Sequence, residues 1–319
     1  MEPANECANG DGGGVAVVDV PELTVDASVE LLVRSALGRS VAQLQRHEPG
    51  VRRGDDPEDV HKFRVATRRL RSDLRTFGPL LERRWRRDLR TELRWLGGEI
   101  GGVRDADVLL ARLGPRVRDL PGSLADEAGP LLVRLEGERT VAHASLLDTL
   151  GTSRYEQVVG ALVDAVAQPQ LVAAPGGAPP DERPAGSVVA DLVRRPWRQL
   201  EKDVEALGDQ PSDHELHEVR ILAKRCRYAA EAVAPVAGDA AHQMAGAVAD
   251  VQTVLGDHQD TVVAEHWLLA AGDQLPGTRA AVEALVGHQR TERHALRLAW
   301  PATWQAAAAP DLHAWLARA

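Results

Sequence analysis

Aromatic residues are scarce in this 319-residue chain, at 3% of the total, which removes the stacking platforms that commonly hold single-stranded nucleic acid. Cysteine is nearly absent. With only Cys7 and Cys226, neither a disulfide framework nor a four-thiolate metal site can be built, and a reducing cytosol is the expected compartment. Lysine occurs only at positions 62, 202 and 224, so positive charge is carried almost entirely by arginine. No apolar run approaches the roughly 18 residues needed to cross a bilayer, and the opening MEPANECANGDGGG lacks the basic start of a secretory signal. The expectation is a cytoplasmic protein with no membrane partner.

What is abundant points to helix. Ala, Leu, Val, Arg and Glu dominate, and a hydrophobic content of 44% is enough for a sizeable core. The net charge of -9 argues against a polyanionic partner, but it is an average. Between Val60 and Arg94, Lys62 and eleven arginines face only Asp73, Glu82, Asp88 and Glu92. Charge is therefore segregated, and a local field can attract an anion to an acidic protein.

Residues 1–24 are Gly-rich and aperiodic and are expected to be a disordered leader. The Pro/Gly-rich stretch 168–186 divides the remainder into a first helical half, 25–167, and a second, 187–319. Shorter loops are expected around residues 50 and 210. The two halves repeat each other. DVHKFRVATRRLRSDLRTF from Asp59 matches ELHEVRILAKRCRYAAEAV from Glu215, pairing His61, Arg64, Arg68 and Arg71 with His217, Arg220, Lys224 and Arg227 at a constant offset of 156. LGGEIGGVRDADVLL then matches VLGDHQDTVVAEHWL, pairing Asp105 with Asp260. A weaker echo relates Arg139 and His143 to Arg290 and His294. Each half reads as a four-helix unit with a long closing helix.

His61, Arg64, Arg68, Arg71 and Arg75 fall at i, i+3, i+7, i+10 and i+14, one stripe of a helix, while Phe63, Thr67, Leu70, Leu74 and Phe77 form the opposite stripe. The second copy repeats the division, with Val219, Ala223, Cys226, Ala230 and Val233 as its apolar seam. Asp56-Pro57 and the Ser212/Glu215 capping box start these helices and put both histidines near their beginnings. A basic stripe is usually a solvated face paired with acids at i+4. Here such partners are nearly missing from the sequence pattern, and like charges at this spacing repel by a few tenths of a kcal/mol per pair. A bound polyanion would offset that repulsion. Arg83, Arg84, Arg86 and Arg87 encircle too much of a helix to share one face.

The run VHKFRVATRRLR, Val60 to Arg71, resembles the signature helix of CHAD domains, named for a histidine in an α-helical domain. GVRDADV, Gly102 to Val108, and LGDHQDTVV, Leu255 to Val263, are similar to the family's two LG-x-x-x-D turns. The resemblance extends over about residues 27–305. It implies an all-α fold of two four-helix bundles related by a pseudo-twofold, with a central basic channel that binds inorganic polyphosphate. By motif position His61, Arg64, Arg68, Arg71, Arg75, His217, Arg220, Lys224 and Arg227 would line it, without catalysis, metal or cofactor. The implied location is the cytoplasm, with polyphosphate granules as the place to look. Arg34, Arg104, Arg194, Arg198 and Lys202 are further candidates, and Asp105 and Asp260 would orient arginines or cap a helix rather than perform chemistry.

Two alternatives remain: an accessory to a phosphate-acting enzyme, or a nucleic-acid-binding protein. Against catalysis, no Glu-x-Glu-x-Lys run, phosphate-binding Gly-x-x-x-x-Gly-Lys loop or nucleophile elbow is present, and HELHE at His214 spaces its histidines wrongly for a zinc helix. Against DNA, a paired inward register leaves no convex face for a duplex.

Overall fold

The computed structural model describes residues 18–173 and 177–317. Their regular structure is helical, apart from isolated bridges joining Ser28 to Pro184 and Leu81 to Leu171. The order is α1 (Val29–Arg53), α2 (Pro57–Thr76), α3 (Arg83–Arg118), α4 (Gly122–Leu150), α5 (Ser153–Ala167), α6 (Val189–Glu205), α7 (Asp213–Ala237), α8 (Asp239–Gly272), α9 (Arg279–Ala307) and the short α10 (Pro310–His313). Within α1–α4 and within α6–α9 each helix packs on the next in sequence, and α2 lies on α7, α3 on α8 and α4 on α9. At 1.5 Å per residue α3 and α8 are each roughly 50 Å long, so they carry contacts from one end of the molecule to the other.

Several local expectations are corrected. The loop foreseen near residue 50 is helical to Arg53, with Pro49 and Gly50 inside α1, because the turn comes later, at Gly54. Gly54 has φ 74°, and a Cβ there would stand 2.5 Å from the His143 ring, so the turn needs glycine on both counts. The LG-x-x-x-D segments are not turns: both lie within unbroken helices, α3 and α8. The closing helix of the first half breaks after Leu150, where Thr152 caps α5 by accepting the N–H of Tyr155. The first half therefore has a fifth helix.

The segment expected as a linker is tied down at both ends, with Val172 N–H donating to Leu80 O, and Val29 N–H to Arg183 O. Within the expected leader, Val18 is buried and its N–H donates to Gln45 at 3.3 Å, while residues 1–17, with Cys7, lie outside the described residues.

Both hydrophobic cores mix the halves. The larger joins Leu32, Phe63, Leu74 and Leu93 to Trp197, Leu216, Val219 and Val251; the smaller joins Leu113 and Leu131 to Leu268 and Leu285 at the far ends of the long hairpins. Each such side chain contributes about 1.5–3 kcal/mol when fully buried. The apolar seams, not the charged stripes, hold the halves together.

Candidate functional site

The caps set the helical phase that positions the site. Asp56 accepts the N–H of Glu58 at 2.8 Å to start α2, and Ser212 and Glu215 close a capping box at the start of α7. From these starts Phe63, Thr67, Leu70, Leu74 and Phe77 all reach the core, as do Val219, Ala223, Cys226, Ala230 and Val233. The basic stripes are left along the line where α2 meets α7.

Four cations come together there: Arg64 and Arg68 from α2, Arg220 and Lys224 from α7. Desolvation, then Arg220, Arg68 and Arg64, outweigh the attraction of Asp260 and bring the Lys224 pKa down to about 7. Arg220 is lowered for the same reasons, burial first. Its Nε is buried with no hydrogen-bond partner among the described residues. Arg64 Nη1 donates to Gly101 O at 3.2 Å and to Asp105 at 3.1 Å, and Arg68 Nε donates to the Tyr228 hydroxyl at 2.9 Å. Asp105 thus orients an arginine, while Asp260, its match in the second half, acts on Arg220.

The glycines of the misread turns have a use here. A Cβ on Gly101 would stand 3.6 Å from an Arg64 nitrogen, one on Gly97 3.6 Å from Arg71, and one on Gly256 3.7 Å from Arg220. The Arg64, Arg71 and Arg220 head groups thus come within van der Waals reach of these glycine positions of α3 and α8.

The two histidines differ in their surroundings. Burial and then Arg104 keep the His61 pKa below its ordinary value, with Glu58 acting in the opposite sense. His217 Nδ1 is hydrogen-bonded to Gln259 Oε1 at 2.8 Å. Gln259 takes the place in α8 that Arg104 has in α3, so one histidine meets a cation and the other an amide.

The remaining stripe residues are not gathered at this point. Arg71 and Arg75 continue along α2 toward Arg90 and Arg94 of α3 and Arg225 of α7. Arg227 departs from the expected pattern: it is paired with Glu231 at i+4, 2.7 Å away, and Arg69 of α2 binds the same carboxylate. Glu231 lies four residues past the last cation of the α7 run, outside the basic motif itself.

Other arginines are structural ties. Arg34 donates to Val166 O at 3.0 Å, Arg194 to Leu316 O and Asp191, and Arg139 to Asp107 at 2.6 Å, whereas Arg198 and Lys202 are exposed. The basic surface also takes in Arg104 and Arg112 of α3. Arg112 is bound to Gln289 at 2.6 Å and Glu292 at 2.9 Å, and no helical stripe on α2 or α7 signals it.

A family model for the CHAD domain matches residues 35–269. The chain belongs to the CHAD family. Two uncharacterized proteins of Mycobacterium tuberculosis, from strains CDC 1551 / Oshkosh and ATCC 25618 / H37Rv, are each 34% identical over 251 residues. The match covers 74% of this chain but 45% of theirs, so it spans less than half the length of these relatives. Among solved structures, PptA from Streptomyces chartreusis has a TM-score of 0.71 at 25% identity, covering 88% of this chain and 100% of its own. The CHAD domain from the plant Ricinus communis has a TM-score of 0.74 at 24% identity, covering 93% of this chain and 98% of its own. The likeness to the plant domain shows the CHAD fold over 93% of this chain. Among the described residues no helix is long and apolar enough to cross a membrane.

The Lys224 environment predicts a pH signature for any anion bound at this cluster. A bound anion raises the lysine pKa, so above pH 7 binding must take up a proton, and affinity falls by up to about tenfold per pH unit. Below pH 7 the lysine is already charged and its contribution is flat. His61, held low by burial and Arg104, adds a smaller gain at more acid pH. Dissociation constants for long-chain polyphosphate at pH 7, 8 and 9 are expected to weaken in the parent and hardly change in Lys224→Arg. Parallel slopes for the two proteins would remove Lys224 from the site.

Proposed function

We propose that this CHAD chain is a non-catalytic binder of inorganic polyphosphate, held in a basic channel where α2 and α7 face each other across a pseudo-twofold. The carrying observation is the convergence of Arg64, Arg68, Arg220 and Lys224, with Lys224 brought to about 7 by burial and then by its cationic neighbours. A structural face would pair such charges with acids, as the protein does at Arg139 and Asp107, 2.6 Å apart. Here Arg64 reaches Asp105 at 3.1 Å, but Arg68, Arg220 and Lys224 have no bonded acid among the described residues, so burial and like charge disfavour the cluster and a bound anion would offset that cost. A flexible linear chain of phosphates meets these demands: guanidinium forks match its oxygens, and it is narrow enough to lie between two packed helices. His61, Arg71, Arg75 and His217 extend the lining, and Arg104 joins it. Arg227, tied to Glu231, lies at its edge. The proposed location is the cytoplasm, at polyphosphate granules.

A DNA duplex is too wide for this position, and its recognition needs an exposed element in a groove. Electrophoretic competition separates the two readings. Long-chain polyphosphate is expected to displace any bound DNA at equal phosphate concentration, whereas DNA does not displace polyphosphate. The reverse order would make the basic face a nucleic-acid surface.

A further inference from the structure

The two halves carry matched cavities, both rich in arginine, whose corresponding arginines are paired differently. One, about 660 Å³, lies between α1, α2 and α7 and is lined by Arg39, Gln43, Arg46, Lys62, Arg69 and Asp73. The other, about 770 Å³, lies between α2, α3, α6 and α7 and is lined by Arg195, Gln199, Arg225, Arg75, Arg86 and Arg90. The repeat offset of 156 maps Arg39 on Arg195, Gln43 on Gln199 and Arg69 on Arg225. It also maps away the two acids that act on Arg69: Asp73 becomes Ala229, and Glu231 corresponds to Arg75.

The consequence is visible in the contacts. In the first cavity Arg69 is bound by Glu231 and faces buried Asp73, which accepts a hydrogen bond from Ser40 at 3.1 Å. In the second, Arg225 stands beside Arg75 and Arg90. The Nε atoms of Arg90 and Arg225 are buried without a hydrogen-bond partner among the described residues. Desolvation, then Arg225, Arg90, Arg71 and Arg94, bring Arg75 to about 10 although its side chain is exposed. Three acids also line this cavity: Asp191 is held by Arg194, Asp203 by Gln199 at 2.6 Å, and Glu218 is exposed on α7, and none of them is bonded to Arg75, Arg86, Arg90 or Arg225 among the described residues.

We propose that the cavity between α2, α3, α6 and α7 is a second phosphoryl-binding site, built by Arg75, Arg86, Arg90 and Arg225, and that it extends the bound polyanion beyond the central cluster on this side only. The inference rests on the polyphosphate reading above and gives it a direction. Along α2 the path runs from Arg64 and Arg68 through Arg71, which lies on Gly97, to Arg75, about 16 Å of helix axis. On the pseudo-equivalent side Glu231 closes the path by holding both Arg69 and Arg227. A short phosphate fills the central cluster alone, and a long one reaches the second site as well.

The test compares tripolyphosphate with long-chain polyphosphate on the parent and on Arg90→Ala/Arg225→Ala. The variant is expected to bind tripolyphosphate within about twofold of the parent and the long chain at least tenfold more weakly. By analogy with nucleic acids, its salt dependence should be shallower by roughly 1.5 in log–log slope for two lost contacts. Arg75→Glu, which introduces the acid found in the other half, is expected to weaken long-chain binding in the same selective way. Helical signal and thermal midpoint check folding, which loses only mutually repelling charges. If the parent binds long chains and the double variant binds them equally well with the same slope, the second site is wrong while the central one stands. If both ligands weaken together, the two clusters are one site and the proposal also fails. If the parent binds neither, the polyphosphate reading itself is lost.

Discussion

Replacing Arg64, Arg68, Arg220 and Lys224 together by alanine is expected to reduce long-chain polyphosphate affinity by at least a hundredfold while the protein stays folded, with a thermal midpoint no lower than the parent's. The four side chains leave the apolar seams untouched, since Phe63, Leu70 and Leu74 of α2 and Val219, Ala223 and Cys226 of α7 all face the core. Their removal also relieves a cost. The unfolded chain keeps Lys224 protonated up to about its ordinary value, whereas the folded chain holds it near 7. Stability from this group therefore rises with pH between 7 and about 10.5, and the penalty is fully present below 7. Discounted for partial exposure, that penalty is on the order of 1–3 kcal/mol. Against it stand the lost bonds of Arg64 to Asp105 and of Arg68 to Tyr228, each about 1 kcal/mol. Binding assays with thermal unfolding on the same samples check both halves of the expectation. A variant that unfolds, or one that binds like the parent, makes the cluster structural.

Affinity is also expected to climb with phosphate chain length and to collapse with salt. Each arginine that meets a phosphate releases condensed counterions, and by analogy with nucleic acids a ligand touching six or more cations loses about 10³-fold or more between 50 and 200 mM salt. Orthophosphate, which engages only part of the central cluster, is expected to bind at least a hundredfold more weakly than a long chain and to show a shallow salt slope. Titrations at several ionic strengths, with orthophosphate, tripolyphosphate and a long chain, give the slopes directly. Equal affinities for the smallest and the longest ligand would mean a discrete pocket for a small anion.

The helical fold and the pairing of basic stripes were legible because period and register are local properties: the Asp56 and Ser212 caps, the 63-67-70-74-77 seam and the offset of 156 all stand in the sequence. What was illegible depends on tertiary context. Glycine pairs such as Gly97-Gly98 and Gly101-Gly102 ordinarily weaken a helix, yet α3 runs through them, held by packing on both sides and serving as a floor for Arg64 and Arg71. The break at Gly151 had no period change to mark it. Arg227 looked like an equal member of the stripe until Glu231, shared with Arg69 across the helix pair, was seen to hold it. The same carboxylate explains why the repeat is symmetric in motif and asymmetric in charge. Arg90 and Arg225, on helices outside the first stripe, could be joined to the site only by the fold.

The most direct test is a crystal structure of the chain with long-chain polyphosphate. The account predicts a continuous run of phosphates between α2 and α7, within hydrogen-bond distance of Arg64, Arg68, Arg220 and Lys224 and continuing toward Arg75 and Arg90. Phosphates found instead on the exposed arginines at the start of α3, Arg83, Arg84 and Arg87, with the α2 and α7 cluster unchanged, would contradict it.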